Sequence, residues 1–392
     1  MPFQTGAVTK QPPSIKLSRE KARTLMVQHH GLARYSHKKK GALPTLLRQL
    51  RCIQLDPLDR IGTNADLVAL ARVSELRRGE IYEALLPGHA FEHFAKERCL
   101  LPAESFPWYR LRAAETPWWR LSERVKRLPK GLVESVLEEI RLRGPITVQA
   151  LEHRGAVTAI DWSGWKGTTS ATRMAIEVLW TRCQVVVCGR KKNTKLFDIP
   201  ERALPHWNTS APGEFETWAI RERAAAAGLL SRNSGPVWSM LSEARTSKLP
   251  QQLIDRGELC EVTIDGSPRR YLASPEFLKT RSKEYDGDVR ILGPLDPLIW
   301  DRPLTKEIFG FDYVWEVYKP EHQRKWGWYV CPLLRQDQLI GRMDAEIKDG
   351  KLHVHKLWRE GKLWNEDAVD RALERHARAC GVDRVIRKKA IS

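Results

Sequence analysis

Apolar residues recur every three to four positions in some stretches and alternate in others, which divides the chain into helical and extended segments. REKARTLMVQHHGL at 19–32 is periodic, with Ser18 placed to cap its start and Gly31 to end it. Ala42 to Arg51 predicts a second helix and ELRRGEIYEALL a third, after which AFEHFAKERCLLP alternates like a strand pair. LVESVLEEIRLRG has apolar residues at 132, 133, 136, 137 and 140; Thr147 is placed to cap VQALEHR, and TSATRMAIEVLWTR predicts a further helix. QVVVCG and KLFDIP then read as a hairpin with RKKNT at its cationic tip. Three helices followed by a basic hairpin is the winged-helix order. FETWAIRERAAAAGLL, LPQQLIDRGEL and CEVTIDGSPRRYLAS repeat it more weakly, with Asp265-Gly266 in the turn.

From about Arg290 several strands alternate, with Lys348-Asp349-Gly350 as a turn, before a last helix capped at Asn365. The expected fold class is α+β, built as tandem winged-helix domains with a small C-terminal antiparallel β-barrel or sheet. The expected divisions are a disordered lead-in at 1–15, a winged-helix-like unit at 16–110, winged helices at 120–212 and 213–284, and the β unit with its terminal helix at 285–392.

Charge adds a partner. The 392 residues carry a net +18, and the cations cluster. Lys38, Lys39 and Lys40 form one group, Arg190, Lys191 and Lys192 a second, and Arg269 with Arg270 a third. Such clusters suit phosphate, so nucleic acid ranks ahead of a membrane or an acidic protein. No apolar run approaches the ~18 residues of a membrane span, and the seven cysteines form no CxxC pair. Neither metal nor cofactor is expected, and the bacterial cytoplasm, close to the nucleoid, is the expected compartment. No heptad repeat marks a dimer helix, so a monomer is expected. Most of the 15 tryptophans, among them Trp180, Trp300 and Trp315, are expected in the core.

Within RCIQLDPLDR at 51–60, Gln54-Leu55-Asp56 sets an amide and a carboxylate two residues apart. In extended backbone they share a face, and Pro57 biases Asp56 towards that conformation. An amide that orients water beside a carboxylate that stabilises a cation suits hydrolysis, although a turn at a helix end would use the same residues. GPLDPLIWDR at 293–302 also puts acids among apolar residues; Asp296 and Asp301 are read there as turn caps or as partners of Arg302. His89, His93 and His322 are read as ordinary polar contacts, and Trp108, Tyr109, Trp118 and Trp119 as packing between the first two units. A non-catalytic winged-helix transcriptional regulator would explain charge and helices equally, but not the QLD triplet.

IQLDPL (53–58), FEHFAKERCLLP (91–102), GPLDPLIWDRPLTKEIFGFDYVWEVYKP (293–320) and RMDAEIKDGKLHVHKLW (342–358) together resemble the winged-helix DNA glycosylases of the AlkZ/YcaQ-like family. The resemblance runs from about Leu17 to about residue 385. It implies three winged helices around a small β-barrel, and Gln54 and Asp56 as a catalytic pair of the Gln-apolar-Asp kind. It further implies monofunctional excision of cationic N7- or N3-alkylpurines from duplex DNA, with unhooking of interstrand crosslinks as a further activity. Where many relatives have Ser-His-His or Ala-His-His, this chain reads Gly62-Thr63-Asn64-Ala65-Asp66.

Overall fold

The computed structural model describes residues 14–115, 119–160, 167–191 and 194–387. The lead-in up to residue 13, Trp118 and Lys192 lie outside these. Ile15 already belongs to a strand, Ile15–Leu17, which pairs in parallel with Val262–Ile264. That strand extends the hairpin Cys260–Ile264 and Arg270–Ala273 into a four-stranded sheet completed by Leu230–Ser231. The architecture is a mixed α/β fold.

Most helices lie where the periodicity puts them: Arg19–His29 under a Ser18 cap, Ala42–Leu50, Leu132–Arg143, Ala171–Thr181, Phe215–Ala227, Leu249–Asp255, and Glu366–Ala379 under Asn365. Two expectations change. The third helix is only Glu80–Leu85, because Gly79 at φ +90° breaks the chain ahead of it. VQALEHR makes no helix; Val148–Ala150 is one 3-10 turn, and the Thr147 side chain caps nothing. Asn64–Leu70 is a helix absent from the pattern reading, opened by a capping box in which Thr63 and Asp66 satisfy each other's ends.

At the C-terminus, Val289–Ile291, Val330–Arg335, Gln338–Lys348, Lys351–Arg359 and Arg384–Arg387 form one curled five-stranded sheet in chain order. It is an open sheet, and its last pairing is parallel rather than antiparallel. The Asp349-Gly350 turn has both residues at positive φ, +49° and +67°, which suits a two-residue hairpin.

Four apolar clusters fill the described residues, and each crosses the divisions expected from sequence. The first joins Leu47 and Ile53 to Ile140 and Leu179. The second joins Cys52 and Phe106 to Phe215 and Leu272, and the third joins the Arg19–His29 helix to Leu298 and Ile308. The fourth carries Ile61 and Leu67 into the C-terminal sheet. Cys52, Ile53 and Ile61 belong to three different clusters, so the QLD segment sits where three cores converge.

Candidate active site

The helix Ala42–Leu50 ends at Arg51, whose φ of +63° is rare outside glycine. This sharp turn delivers the chain straight into the strand Ile53–Gln54. Ile53 faces Leu100 and Gln54 faces Cys99 on Arg98–Pro102, and the Leu55 N–H donates to the Arg98 carbonyl at 2.8 Å. Ala90–Phe94 completes that three-stranded sheet, so the strand pair expected from AFEHFAKERCLLP is present.

Gln54 does not emerge beside Asp56 into solvent; it is buried. Its Oε1 accepts from Lys96 Nζ at 2.5 Å. An ammonium has only donors, so this contact fixes the amide with its oxygen towards Lys96 and its NH2 turned away. Lys96 is itself buried, with no ion pair among the described residues; its Nζ lies 5.5 Å from the Trp300 ring centre. Burial pulls its pKa below the usual lysine range. On the main chain, the Gln54 carbonyl accepts from Asn64 Nδ2 at 2.8 Å, while Asn64 Oδ1 accepts from the Leu295 N–H at 3.3 Å. Gly293 makes that clamp possible, since a Cβ there would come within 2.5 Å of Asn64 Oδ1.

Asp56 follows the strand and is half-buried. Its Oδ1 accepts from the Leu58 N–H at 2.9 Å across Pro57, and Oδ2 has no hydrogen-bond partner among the described residues. Burial raises its carboxyl above the usual range, with the Leu58 N–H opposing. Tyr329 lies close enough to feel this charge. Its phenol is pushed up chiefly by burial, with the negative charges of Asp56 and Asp59 among the further causes.

The chain matches the AlkZ-like family, described as DNA glycosylase AlkZ-like, over residues 47–379. It therefore belongs to the AlkZ-like DNA glycosylase family. Among solved structures it is similar to the Streptomyces sahachiroi DNA glycosylase AlkZ, with a TM-score of 0.55 and 18% identity over 96% of this chain and 100% of that one. At that identity the likeness concerns the fold. Family membership makes DNA the partner and a glycosylase the kind of enzyme, and takes the chain away from the regulator reading. No helix among the described residues is long and apolar enough to cross a membrane.

Several side chains expected to meet DNA are engaged elsewhere. Arg190 sits on the strand Val186–Lys191, 2.6 Å from Glu92 and 4.1 Å from the Tyr82 ring centre. Glu92 is fully buried and draws in both Arg190 and Lys195 as counter-ions, so Arg190 is tied into the structure by this pair. Lys38 pairs with Glu80 at 2.8 Å, Arg270 with Glu261 at 3.4 Å, and Arg269 lies 3.8 Å from Asp301. Lys39, Lys40 and Lys191 are exposed and make no ion pair among the described residues.

Asp296 and Asp301 do cap helical turns, accepting from the Leu298 and Leu304 N–H groups. Asp296 pairs with Arg72, however, and not with Arg302. His93 stacks on Trp180 and burial pulls its pKa down to about 4, so it is neutral at pH 7. Trp108 stacks on Trp218 at 5.2 Å, so it and Tyr109 also pack against the third unit, in an apolar cluster that includes Cys183 and Leu204 of the second. Trp180 and Trp300 are buried and Trp315 partly so, as expected. Sequence reasoning missed Lys96 and Asn64. Both lie inside quoted stretches, FEHFAKERCLLP and the Gly62–Asp66 departure, but burial of a lysine is not visible in a strand pattern.

Proposed function

We propose that the protein hydrolyses the N-glycosidic bond of alkylated purines in duplex DNA, with Asp56 and Gln54 as its catalytic pair. The observation that carries this reading is a half-buried carboxylate with one oxygen anchored and the other unpartnered, following an amide whose orientation Lys96 fixes. An N7- or N3-alkylated purine is already cationic and leaves without strong protonation. The remaining demand is to stabilise the oxocarbenium-like sugar and deliver water to C1′, as carboxylates do in glycoside hydrolysis. Asp56 faces the developing positive charge and accepts the water proton, while the Gln54 NH2 donates to the water oxygen. The helix-and-hairpin units are winged helices in this reading, with Lys39, Lys40 and Lys191 on phosphates, and the enzyme acts as a monomer without a metal. A half-buried Asp56 with one oxygen unpartnered among the described residues also suits bulky adducts, so crosslink unhooking belongs to the same proposal.

The test is single-turnover incubation with a duplex containing one N7-methylguanine, scored as abasic sites against the unmodified duplex. Lesion-dependent release supports the reading. No release from methylated, bulky-adduct or crosslinked duplexes alike overturns it.

Lys96→Met should slow excision roughly 10- to 100-fold, the worth of one charge-assisted hydrogen bond, at unchanged duplex affinity. A double-mutant cycle checks the cause. If Lys96 acts through the amide, adding Lys96→Met to Gln54→Ala slows the reaction no further. Fully additive losses would place Lys96 outside that role.

A further inference from the structure

Tyr318 is 87% exposed, the most exposed large hydrophobic side chain among the described residues. It does not sit on a loose tip. The loop from Val317 to Gly327 is closed from inside by Glu316, which is only 3% exposed. The Glu316 carboxylate accepts from Lys319 Nζ at 2.8 Å and from the N–H groups of Lys325, Trp326 and Gly327 at 3.2, 2.7 and 3.4 Å. Burial opposes ionisation there, yet these donors hold its carboxyl at about 2. Two further bonds brace the loop: Trp328 Nε1 to the Val317 carbonyl at 3.1 Å, and Arg324 Nε to the Lys319 carbonyl at 2.8 Å. Trp326 fastens its base to the C-terminal sheet, 3.9 Å from the Arg342 guanidinium and 5.4 Å from the Trp358 ring.

The loop stands next to the QLD segment. Leu58, Trp315 and Trp328 pack on the same apolar cluster, and the Arg60 guanidinium lies 5.3 Å over the Trp328 ring. Ring contacts run from Tyr329, which feels the Asp56 charge, to Trp315 at 6.3 Å and on to Tyr318 at 6.0 Å. Around Tyr318 the charge suits phosphate. Arg324 and Lys325 make no ion pair among the described residues, and Glu321 is the one exposed carboxylate between 317 and 327.

We propose that Tyr318 is a stacking wedge: the braced loop presses its ring against a base step beside the lesion while Arg324 and Lys325 rest on the flanking phosphates. A rigid aromatic on a basic support pays little ordering entropy on binding, and base–aromatic stacking needs no particular sequence. Partial unstacking of this kind lets a protein hold a kinked duplex at one step. The proposal rests on the glycosylase reading of Asp56 for its location, and adds a residue that grips the duplex without touching the bond broken.

Tyr318→Ala and Tyr318→Phe separate the ring from the hydroxyl, and both should fold normally because the side chain is exposed. Excision of N7-methylguanine should fall roughly tenfold or more in the alanine variant and return in the phenylalanine variant. Equal, measurable rates in all three proteins overturn the wedge. A second readout needs no catalysis: 2-aminopurine placed in turn at four positions around the lesion brightens when unstacked. Brightening with wild type and Tyr318→Phe but not Tyr318→Ala supports the wedge even if excision itself fails. The same signal from all three, or from none, overturns it. Inert wild type with normal brightening would count against the glycosylase substrate alone.

Discussion

Asp56→Asn should slow single-turnover excision roughly 100- to 10,000-fold, the range of a lost acid–base group, while duplex affinity stays near wild type. Asparagine keeps the shape and can still accept the Leu58 N–H that anchors Oδ1. In the proposed mechanism it loses the negative charge set against the sugar cation and the site that takes the water proton. The wild-type rate should fall at acid pH along a limb displaced above the ordinary aspartate range of about 3.9, because burial raises the Asp56 pKa. That limb should vanish in the variant. The stability effect has the opposite sense. A carboxyl raised by folding binds its proton more tightly in the native state. Ionised Asp56 therefore weakens the fold as pH climbs through the interval between its unfolded and folded pKa values. At pH 7 Asp56→Asn should melt no lower than wild type. A variant that melts much lower, or that excises as fast as wild type, would remove Asp56 from its assigned role.

Asp296→Ala should destabilise the protein by about 3–5 kcal/mol, the cost of stranding one partner of a buried ion pair. Arg72 and Asp296 are 1% and 0% exposed and meet through two bonds, of 2.7 and 2.9 Å. Arg72 also donates to the His30 and Val68 carbonyls, so its charge is spread over three elements. Removing Asp296 leaves that guanidinium without an anion and opens the turn it caps at Leu298. Chemical denaturation with urea measures the loss. Replacing both partners together, Arg72→Met with Asp296→Leu, should recover much of it, since apolar pairs of similar volume replace buried ions at little net cost. A single substitution costing less than about 1 kcal/mol would mean water reaches the site and the pair is no such tie.

What the sequence disclosed and what it hid differ by range. Alternation in FEHFAKERCLLP and periodicity in LVESVLEEIRLRG are local, and both elements are where the pattern puts them. The Asp349-Gly350 turn is equally local. Asn64–Leu70 is hidden because two turns of helix are too short to show a clear apolar period, and its start signal, Thr63-Asn64-Ala65-Asp66, follows directly on the glycine at 62. That signal is in fact a capping box, with Asn64 clamping the motif strand. Arg190 looked like a hairpin tip because nothing near it in sequence announces the buried Glu92. Lys96 with Gln54, and Arg72 with Asp296, are contacts across 42 and 224 residues; no window of sequence contains them. The resemblance supplied Gln54 and Asp56 as a pair, but not the lysine that turns the amide.

Because Cys52, Ile53 and Ile61 are anchored in three separate cores, the backbone carrying Asp56 cannot shift without disturbing all three. Hinge closure of one unit over a bound duplex would tear at the very strand that positions the carboxylate. Adjustment at the encounter must then come from the other molecule. The helix being repaired has to bend, open or slide its steps to present C1′, and local pliancy of the damaged DNA becomes a selector in its own right. A lesion in an easily kinked pyrimidine–purine step would be served ahead of the same lesion in a stiff adenine tract.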